Sequence, residues 1–222
     1  MDLPESKPWF VWTAALLLGL IYRIYGRFTV RHRERLRGLR AQPQPLVVIF
    51  NHSSHADVPA VGLALGVPLM RRVILPGKQE LFDDPRFRWM MKQVGVVPVK
   101  RDMSDTAAVR VLLRALQAGR SVVLAPEGTR SLDGKLLPFH PGFARLAHKA
   151  GVLVLPVGIQ GAHRVLPKGA SFPRPRKLTA VVGEPVDVRA RLGPKPDAAA
   201  FQQFANEMRH QIAELIGQDA LQ

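Results

Sequence analysis

Short apolar runs alternate with amphipathic stretches along most of this chain. Runs rich in Val, Ile and Leu, bounded by Gly, Pro or polar residues, predict strands at 46–50, 73–75, 96–100, 121–125, 152–159 and 178–182. Apolar residues at helical spacing predict helices near 58–65, 85–94, 106–118, 143–150 and 198–216. This alternation predicts an α/β domain with a largely parallel central sheet flanked by helices.

The first forty residues follow a different pattern. Residues 9–22 carry no charge, and seven arginines follow between Arg23 and Arg40 with Glu34 as the only acid among them. An apolar segment with aromatic edges followed by arginines is typical of a membrane anchor. The uncharged run is shorter than the roughly 20 residues of a full span, which favours a helix embedded in one leaflet or steeply inserted, with the arginines on anionic headgroups. The alternatives are a buried core helix and a signal peptide, and the lack of a basic start or a small-residue cleavage site disfavours the latter.

The Gln-Pro-Gln-Pro stretch at 42–45 breaks any preceding helix and predicts a boundary. We therefore predict an N-terminal hydrophobic and Arg-rich membrane anchor over 1–41 and a globular domain over 45–222. If the anchor crosses the bilayer, the arginines place the domain in the cytoplasm. The predicted location is the cytoplasmic face of the inner membrane.

Charge and cysteine content narrow the possible functions. The chain of 222 residues has 32 Lys and Arg against 17 Asp and Glu, a formal charge of +15, which indicates an anionic partner such as nucleic acid, anionic lipid or a phosphorylated substrate. The arginines cluster beside the apolar segment, and no basic stretch interleaved with aromatics follows, so we expect no nucleic acid partner. The absence of cysteine excludes disulfides, thiolate catalysis and Cys-based zinc sites.

The first predicted strand ends in a polar turn that holds His52 and Asp57. In a parallel sheet, sites form beyond the carboxyl ends of the strands. Five positions on one helix correspond to about 140° of rotation, so the two side chains meet only if His52 lies in the turn and Asp57 begins the next helix. Asp57 would then accept from one ring nitrogen and leave the other as a base. Alternatively, Asp57, Ser53 or Ser54 caps the helix and His52 is a turn residue.

Two further polar segments follow strand ends. Pro-Glu-Gly-Thr-Arg-Ser at 126–131 offers Gly128 for a tight turn and Arg130 as a bidentate phosphate or carboxylate partner. The segment at 95–101 ends in two cations, Lys100 and Arg101. Taken singly, these are an ordinary turn and a solvated strand terminus.

Together, the order and spacing of three blocks, Asn-His-x4-Asp at 51–57, Gly-x5-Arg at 95–101 and Pro-Glu-Gly-Thr-Arg-Ser at 126–131, resemble the glycerolipid acyltransferases. The hydrophobic Val-Leu-Pro-Val-Gly segment at 154–158 is similar to a fourth block of that family. The likeness is greatest to the 1-acylglycerol-3-phosphate acyltransferases and covers about 45–185.

The resemblance implies acyl transfer from acyl-CoA or acyl carrier protein, with no cofactor, to the hydroxyl of a lysophospholipid such as 1-acylglycerol-3-phosphate, giving phosphatidic acid. It implies His52 as the base, Asp57 as its orienting partner, and direct attack on the thioester. It implies a substrate-binding set for the acceptor phosphate and hydroxyls, with Glu127 orienting either the hydroxyls or Arg130: Lys78, Arg101, Glu127, Gly128, Thr129 and Arg130. Backbone N–H groups near Gly128 or Val58 are candidates for the oxyanion.

Other interpretations stay open beside this one. The acceptor could be another lyso-lipid, for example lyso-ornithine lipid, or the chain could bind membrane lipids without turnover. His52, His55 and Asp57 could in principle ligate a metal, but no spacing typical of a complete site supports this, and we predict none.

Overall fold

The computed structural model describes residues 7–41, 44–99, 106–167, 170 and 172–218. These residues form one sheet of eight strands: β1 Thr29–Arg31, β2 Leu46–Phe50, β3 Val73–Lys78, β4 Val96–Val99, β5 Ser121–Leu124, β6 Leu153–Gln160, β7 Thr179–Val182 and β8 Val186–Asp187. The spatial order is β1-β7-β6-β2-β5-β3-β4, with β8 beside β6. Strands β6, β2, β5, β3 and β4 run parallel, whereas β7 and β8 are antiparallel to β6. The predicted α/β fold with a largely parallel sheet is confirmed.

Helices lie before, between and after the strands: α1 Pro8–Tyr25, α2 Arg37–Ala41, α3 Asp57–Leu65, α4 Val67–Met70, α5 Pro85–Gln93, α6 Thr106–Gln117, α7 Gly142–Ala150, α8 Ala162–Val165, α9 Val188–Leu192 and α10 Ala198–Ile216. Short 3-10 turns occur at Arg33–Leu36 and Gln79–Phe82. Asp84 and Asp197 begin α5 and α10 by accepting backbone N–H bonds from the first turn, which satisfies donors that have no partner inside the helix.

Two apolar layers enclose the sheet. Strand β2 is buried at every position, as expected for a central parallel strand covered on both faces. Because successive side chains point to opposite faces, Val48 and Phe50 pack in the layer beneath α3, while Val47 and Ile49 pack in the layer formed with α7 and α10. The carboxyl ends of β6, β2 and β5 are therefore adjacent at one edge, and their following loops meet there.

The Arg-rich half of the predicted anchor is part of this sheet structure. Strand β1 pairs in parallel with β7, with Val30 opposite Ala180. Leu36 and Leu39, which follow it, are buried in the same layer as α3. The arginines dominate the composition here. Arg31, Arg33 and Arg37 are exposed, whereas the half-buried Arg35 and Arg40 donate to the carbonyls of Val182 and Leu65, both at 2.8 Å.

Helix α1 has the opposite relation to the core. Its 18 residues have a mean hydropathy of 1.3, and only 6% of them are buried. Trp12, Leu16, Leu17 and Ile24 are each more than half exposed. By length and composition, α1 is long and apolar enough to cross a membrane.

Candidate active site

His52 and Asp57 meet at the carboxyl end of β2. His52 lies two residues beyond the strand, and Asp57 is the first residue of α3. The Nδ1 atom of His52 lies 3.0 Å from Oδ2 of Asp57. A tautomer that donates from Nδ1 to this carboxylate leaves Nε2 as an acceptor. The geometry therefore provides an oriented general base.

The turn itself is built around the Asp57 carboxylate. Oδ2 accepts the backbone N–H groups of Ser53 and Ser54, both at 2.7 Å. Asp57 is fully buried, and its Oδ1 atom has no hydrogen-bond donor among the described residues. One carboxylate oxygen thus fixes both the backbone of the turn and the histidine ring. Both N–H groups precede α3, so Asp57 holds the turn rather than capping the helix.

The His52 ring combines support on one side with access on the other. Phe50 packs edge-on against it, with ring centroids 5.6 Å apart. The histidine side chain keeps 21% of its surface exposed, whereas that of Asp57 has none. A substrate hydroxyl can therefore reach the ring while water has no access to the orienting carboxylate.

Glu127 reaches the same turn from the loop after β5. Its Oε1 accepts the His52 backbone N–H at 2.6 Å, and its Oε2 accepts the Leu137 N–H at 3.0 Å. Burial raises the pKa of Glu127 to about 7, with a further rise from the charge of Asp57, against the lowering effect of the two backbone bonds. Both oxygens hold backbone of the protein, and Glu127 connects the His52 turn to the second loop.

Two more contacts join the loops at this edge. The Asn51 side chain donates to the Ile159 carbonyl and accepts from the Ile159 N–H, at 2.9 and 2.7 Å, which ties the end of β2 to β6. The Ser131 N–H donates to the His52 carbonyl at 2.8 Å. The His52 peptide is thus held on its N–H side by Glu127 and on its carbonyl side by Ser131.

The predicted substrate-binding residues occupy different places. Gly128 has a φ of 67° and lies exposed in the turn after β5, its N–H donating to the Ala125 carbonyl at 3.1 Å. Thr129 is exposed and Arg130 half-buried in the same turn, one strand away from His52. The backbone of Lys78 ends β3, but its side chain and the whole of Arg101 lie outside the described residues. Of the predicted set, the structure brings together His52, Asp57 and the 127–130 loop.

Tyr22 is a residue that the sequence pattern did not single out. Its hydroxyl donates to the carbonyl of Ala56 at 3.0 Å, so α1 braces the turn that carries Asp57. On the other side, the Ser54 hydroxyl donates to the carbonyl of Leu166 at 2.7 Å. A tyrosine among apolar residues near the end of an amphipathic segment is the one sequence signal that could have suggested the first contact.

The arrangement suits proton transfer. A histidine with a partly exposed ring and a carboxylate that orients it are the parts that abstraction of a hydroxyl proton requires. Among the described residues, no group of three or more His, Asp or Glu side chains could hold a metal ion.

Comparison with known proteins identifies a family. The model of the family described as Acyltransferase matches residues 27–160. The chain is 32% identical over 184 residues to the chloroplastic 1-acyl-sn-glycerol-3-phosphate acyltransferase LPAT1 of Arabidopsis thaliana, a match covering 82% of this chain and 48% of that protein. It is 29% identical over 120 residues to a lyso-ornithine lipid O-acyltransferase of Pseudomonas aeruginosa, covering 54% and 44% of the two chains.

A solved structure extends the likeness to the fold. The crystal structure of the 1-acyl-sn-glycerophosphate acyltransferase PlsC from Thermotoga maritima matches with a TM-score of 0.70 at 25% identity, covering 94% of this chain and 76% of that one. The chain spans about half the length, or less, of the first curated relatives that it matches.

Proposed function

Because this chain belongs to the acyltransferase family whose model matches residues 27–160, we propose that it transfers a fatty acyl group from acyl-CoA or acyl carrier protein to the free hydroxyl of a lysophospholipid. The observation that carries this proposal is the His52–Asp57 pair at 3.0 Å, with its carboxylate fully buried and its imidazole partly exposed. Such a pair is suited to deprotonating a weakly acidic hydroxyl.

The proposed reaction has two chemical steps, addition to the thioester and expulsion of the thiol, with no covalent enzyme intermediate. His52 Nε2 takes the proton of the acceptor hydroxyl as its oxygen attacks the thioester carbonyl carbon, and Asp57 stabilises the resulting imidazolium. The tetrahedral intermediate then expels the thiolate, which leaves as the free thiol after receiving the proton from His52. The N–H of Val58, in the first turn of α3, has no intrahelical acceptor and is a candidate donor to the oxyanion.

We propose 1-acylglycerol-3-phosphate as the acceptor and phosphatidic acid as the product. The names of two relatives, from Arabidopsis thaliana and Thermotoga maritima, support this acceptor. A phosphate monoester also suits the cations that follow neighbouring strands, with Arg101, Arg130 and Lys78 as the proposed partners. The Pseudomonas aeruginosa relative makes lyso-ornithine lipid the second candidate.

A lipid acceptor agrees with the surface of α1. The helix exposes a row of large apolar side chains, among them Leu16, Leu17 and Leu20, and it braces the catalytic turn through Tyr22. We propose that this face lies in the bilayer and holds the site at the lipid surface. Flotation with phospholipid vesicles tests this: the joint Leu17→Gln and Leu20→Gln variant should leave the lipid fraction if the proposal is right.

The activity is tested with purified protein in detergent and a radiolabelled acyl-CoA or acyl carrier protein thioester. The acceptor panel contains 1-acylglycerol-3-phosphate, lyso-ornithine lipid and other lysophospholipids. We expect transfer to 1-acylglycerol-3-phosphate and its loss in His52→Ala. A preference for lyso-ornithine lipid would replace the proposed acceptor, and turnover of His52→Ala at the wild-type rate would exclude His52 as the base.

His210→Ala provides the matched control. This histidine is exposed on α10, and it makes none of the contacts that hold the His52 turn. Activity should be unchanged in this variant, so that a loss in His52→Ala reports the position of the histidine rather than the removal of an imidazole.

A further inference from the structure

A cavity with a cationic wall lies on the β6 side of His52. Its volume is about 530 Å³, and it is lined by Leu132, Asp133, His163, Arg164, Pro167, Arg174 and Arg176. This volume falls within the roughly 300–1,000 Å³ of small-molecule sites. Three arginines and a histidine line the cavity against one acid, Asp133, so the net charge of the wall favours an anion.

The sheet topology explains why these cations converge. Strands β6 and β7 are antiparallel, with Gln160 opposite Thr179, so the chain leaving β6 and the chain entering β7 lie side by side. The Arg174 N–H donates to the Val165 carbonyl at the end of α8. Arg164, on α8, is thereby held beside Arg174 and Arg176, on the segment that leads into β7.

The other contacts of the lining residues leave the arginines available. Among the described residues, no ion pair or side-chain hydrogen bond involves Arg164, Arg174 or Arg176. Asp133, the one acid in the wall, is occupied by the Ser131 hydroxyl and the Lys135 N–H through its Oδ1 atom. Burial and the charge of Arg164 lower the pKa of His163, and a bound anion would counteract both effects.

The cavity is connected to the catalytic turn at two points. Ser131, which precedes Leu132 and Asp133, donates its N–H to the His52 carbonyl. Leu166, between α8 and Pro167, accepts the Ser54 hydroxyl at 2.7 Å. The cavity therefore adjoins the turn that holds the proposed base.

The connections of the sheet that supply these cations are informative, because the proposed acyl transfer brings together two substrates that each carry phosphate. Arg130 lies in the loop after β5, whose next residues Leu132 and Asp133 line the cavity, whereas the cavity arginines follow β6 and precede β7. In the strand order, β2 with His52 lies between β5 and β6. The cavity arginines and Arg130 thus reach the surroundings of the base from different connections of the sheet.

We propose that the cavity bounded by Arg164, Arg174 and Arg176 binds the phosphate groups of the acyl donor, a phosphopantetheine-containing thioester. This assignment rests on the proposed function and adds a donor subsite to it. The acceptor phosphate is then left to Arg130, in the loop after β5, so that donor and acceptor phosphates are bound by cations from different connections of the sheet.

The test measures binding without turnover, using purified full-length protein in detergent. The probes are a short-chain, non-hydrolysable acyl-CoA thioether and the corresponding acyl-pantetheine thioether, which lacks phosphate. We expect the wild type to bind the first about tenfold more tightly, since charge-assisted bonds to phosphate are the strong ones. The joint Arg174→Gln and Arg176→Gln variant should lose this preference while binding acyl-pantetheine as before.

The matched control is the joint Lys149→Gln and Lys195→Gln variant. It also removes two positive charges, from exposed positions on α7 and before α10, near the amino edge of the sheet. It should keep the wild-type preference, which separates a local phosphate contact from a change in net charge.

Three results would overturn the donor subsite. One is an unchanged preference for acyl-CoA thioether in the arginine variant. Another is that the arginine variant loses only the binding of sn-glycerol 3-phosphate, measured by competition, which would assign the cavity to the acceptor. The third is that the arginine variant loses only its binding to phosphatidylglycerol vesicles, which would make the wall a membrane contact. If the wild type transfers no acyl group yet shows arginine-dependent binding, the proposed function fails and the phosphate site stands.

Discussion

Asp57 and Glu127 are both buried carboxylates in contact with His52, and they hold different parts of it. Asp57 binds the ring nitrogen and two N–H groups of its own turn. Glu127 binds the backbone N–H of His52 from 75 residues away and also holds Leu137. The first contact sets the orientation of the imidazole, and the second sets the position of the turn relative to the neighbouring loop.

The two carboxylates also differ in what surrounds them. All described donors to Asp57 converge on Oδ2, and Oδ1 has none. Glu127 uses both oxygens, yet burial still raises its pKa to about 7. The comparison teaches that a buried carboxylate beside a base need not take part in proton transfer. It can connect two loops, and its charge then costs stability where it is ionised.

The largest expected effect is the loss of activity in Asp57→Asn. The amide keeps an acceptor for Nδ1–H but no longer stabilises the imidazolium that forms as the hydroxyl is deprotonated. We expect kcat to fall by about 10³-fold or more, by analogy with other histidine bases that lose their carboxylate. Steady-state kinetics with saturating donor and acceptor measure this loss.

The same variant should remain folded. In this variant one NH2 group replaces one carboxylate oxygen in a buried site. If its N–H groups find no acceptor, the free energy of unfolding falls by about 1–3 kcal/mol. Thermal unfolding monitored by circular dichroism is the companion measurement. A kcat within tenfold of wild type in the folded variant would contradict the role of Asp57 as the partner of the base.

Glu127→Gln should lower activity less than Asp57→Asn does, and it should have a distinctive effect on stability. The amide can still accept from His52, but its NH2 group faces the Leu137 N–H, so the loop shifts and kcat falls by about tenfold. A loss equal to that of Asp57→Asn would remove the distinction between the two carboxylates.

The distinctive effect is on the pH dependence of the unfolding free energy. The ordinary pKa of a glutamate is 4.5, and below that pH Glu127 is protonated in both the folded and the unfolded chain. Between pH 4.5 and its folded pKa of about 7, it ionises in the unfolded chain alone. Its contribution therefore declines as pH rises over this interval, by roughly 3 kcal/mol for a shift of this size. Glu127→Gln should lack this decline in denaturant unfolding from pH 4.5 to 8, and an identical profile in both proteins would contradict the pKa shift.

The contrast also shows what could be predicted from sequence. The meeting of His52 and Asp57 was predictable because strand, turn and helix start all lie within twelve residues, where local geometry decides. The long strands and helices were predictable for a similar reason, and the 198–216 helix agrees with α10 at both ends. Glu127 was singled out only by its resemblance to a family block.

Contacts between distant segments could not be derived from the chain. Nothing near Glu127 indicates that it binds the N–H of a residue 75 positions earlier, or that Asn51 holds Ile159. Strands β1 and β8 have three and two residues, too few for a period to emerge, and β1 lies within an arginine-rich segment. Pairing with neighbouring strands, rather than local propensity, makes them strands.

The smallest expected effect concerns a bond from α1 that supports the turn before Asp57. Among the described residues, no hydrogen bond from α1 supports Glu127 in the same way. The Tyr22 hydroxyl donates to Ala56, the residue before Asp57, at 3.0 Å. Tyr22→Phe removes this bond and keeps the ring that packs on Phe28. A typical net hydrogen bond contributes about 0.5–1.5 kcal/mol, which corresponds to about twofold to tenfold. Because Tyr22 acts on Asp57 only through the neighbouring backbone, we expect kcat to fall by the lower end of this range, about twofold to threefold.

Tyr25→Phe is the matched control, because the Tyr25 hydroxyl also joins α1 to the domain but donates to Pro173. With saturating donor, its kcat should equal that of the wild type. If Tyr22→Phe lowers kcat in the Asp57→Asn background as much as in the wild type, the two residues act independently. If its effect disappears there, α1 acts through Asp57, and the apolar helix α1 also contributes to the orientation of His52.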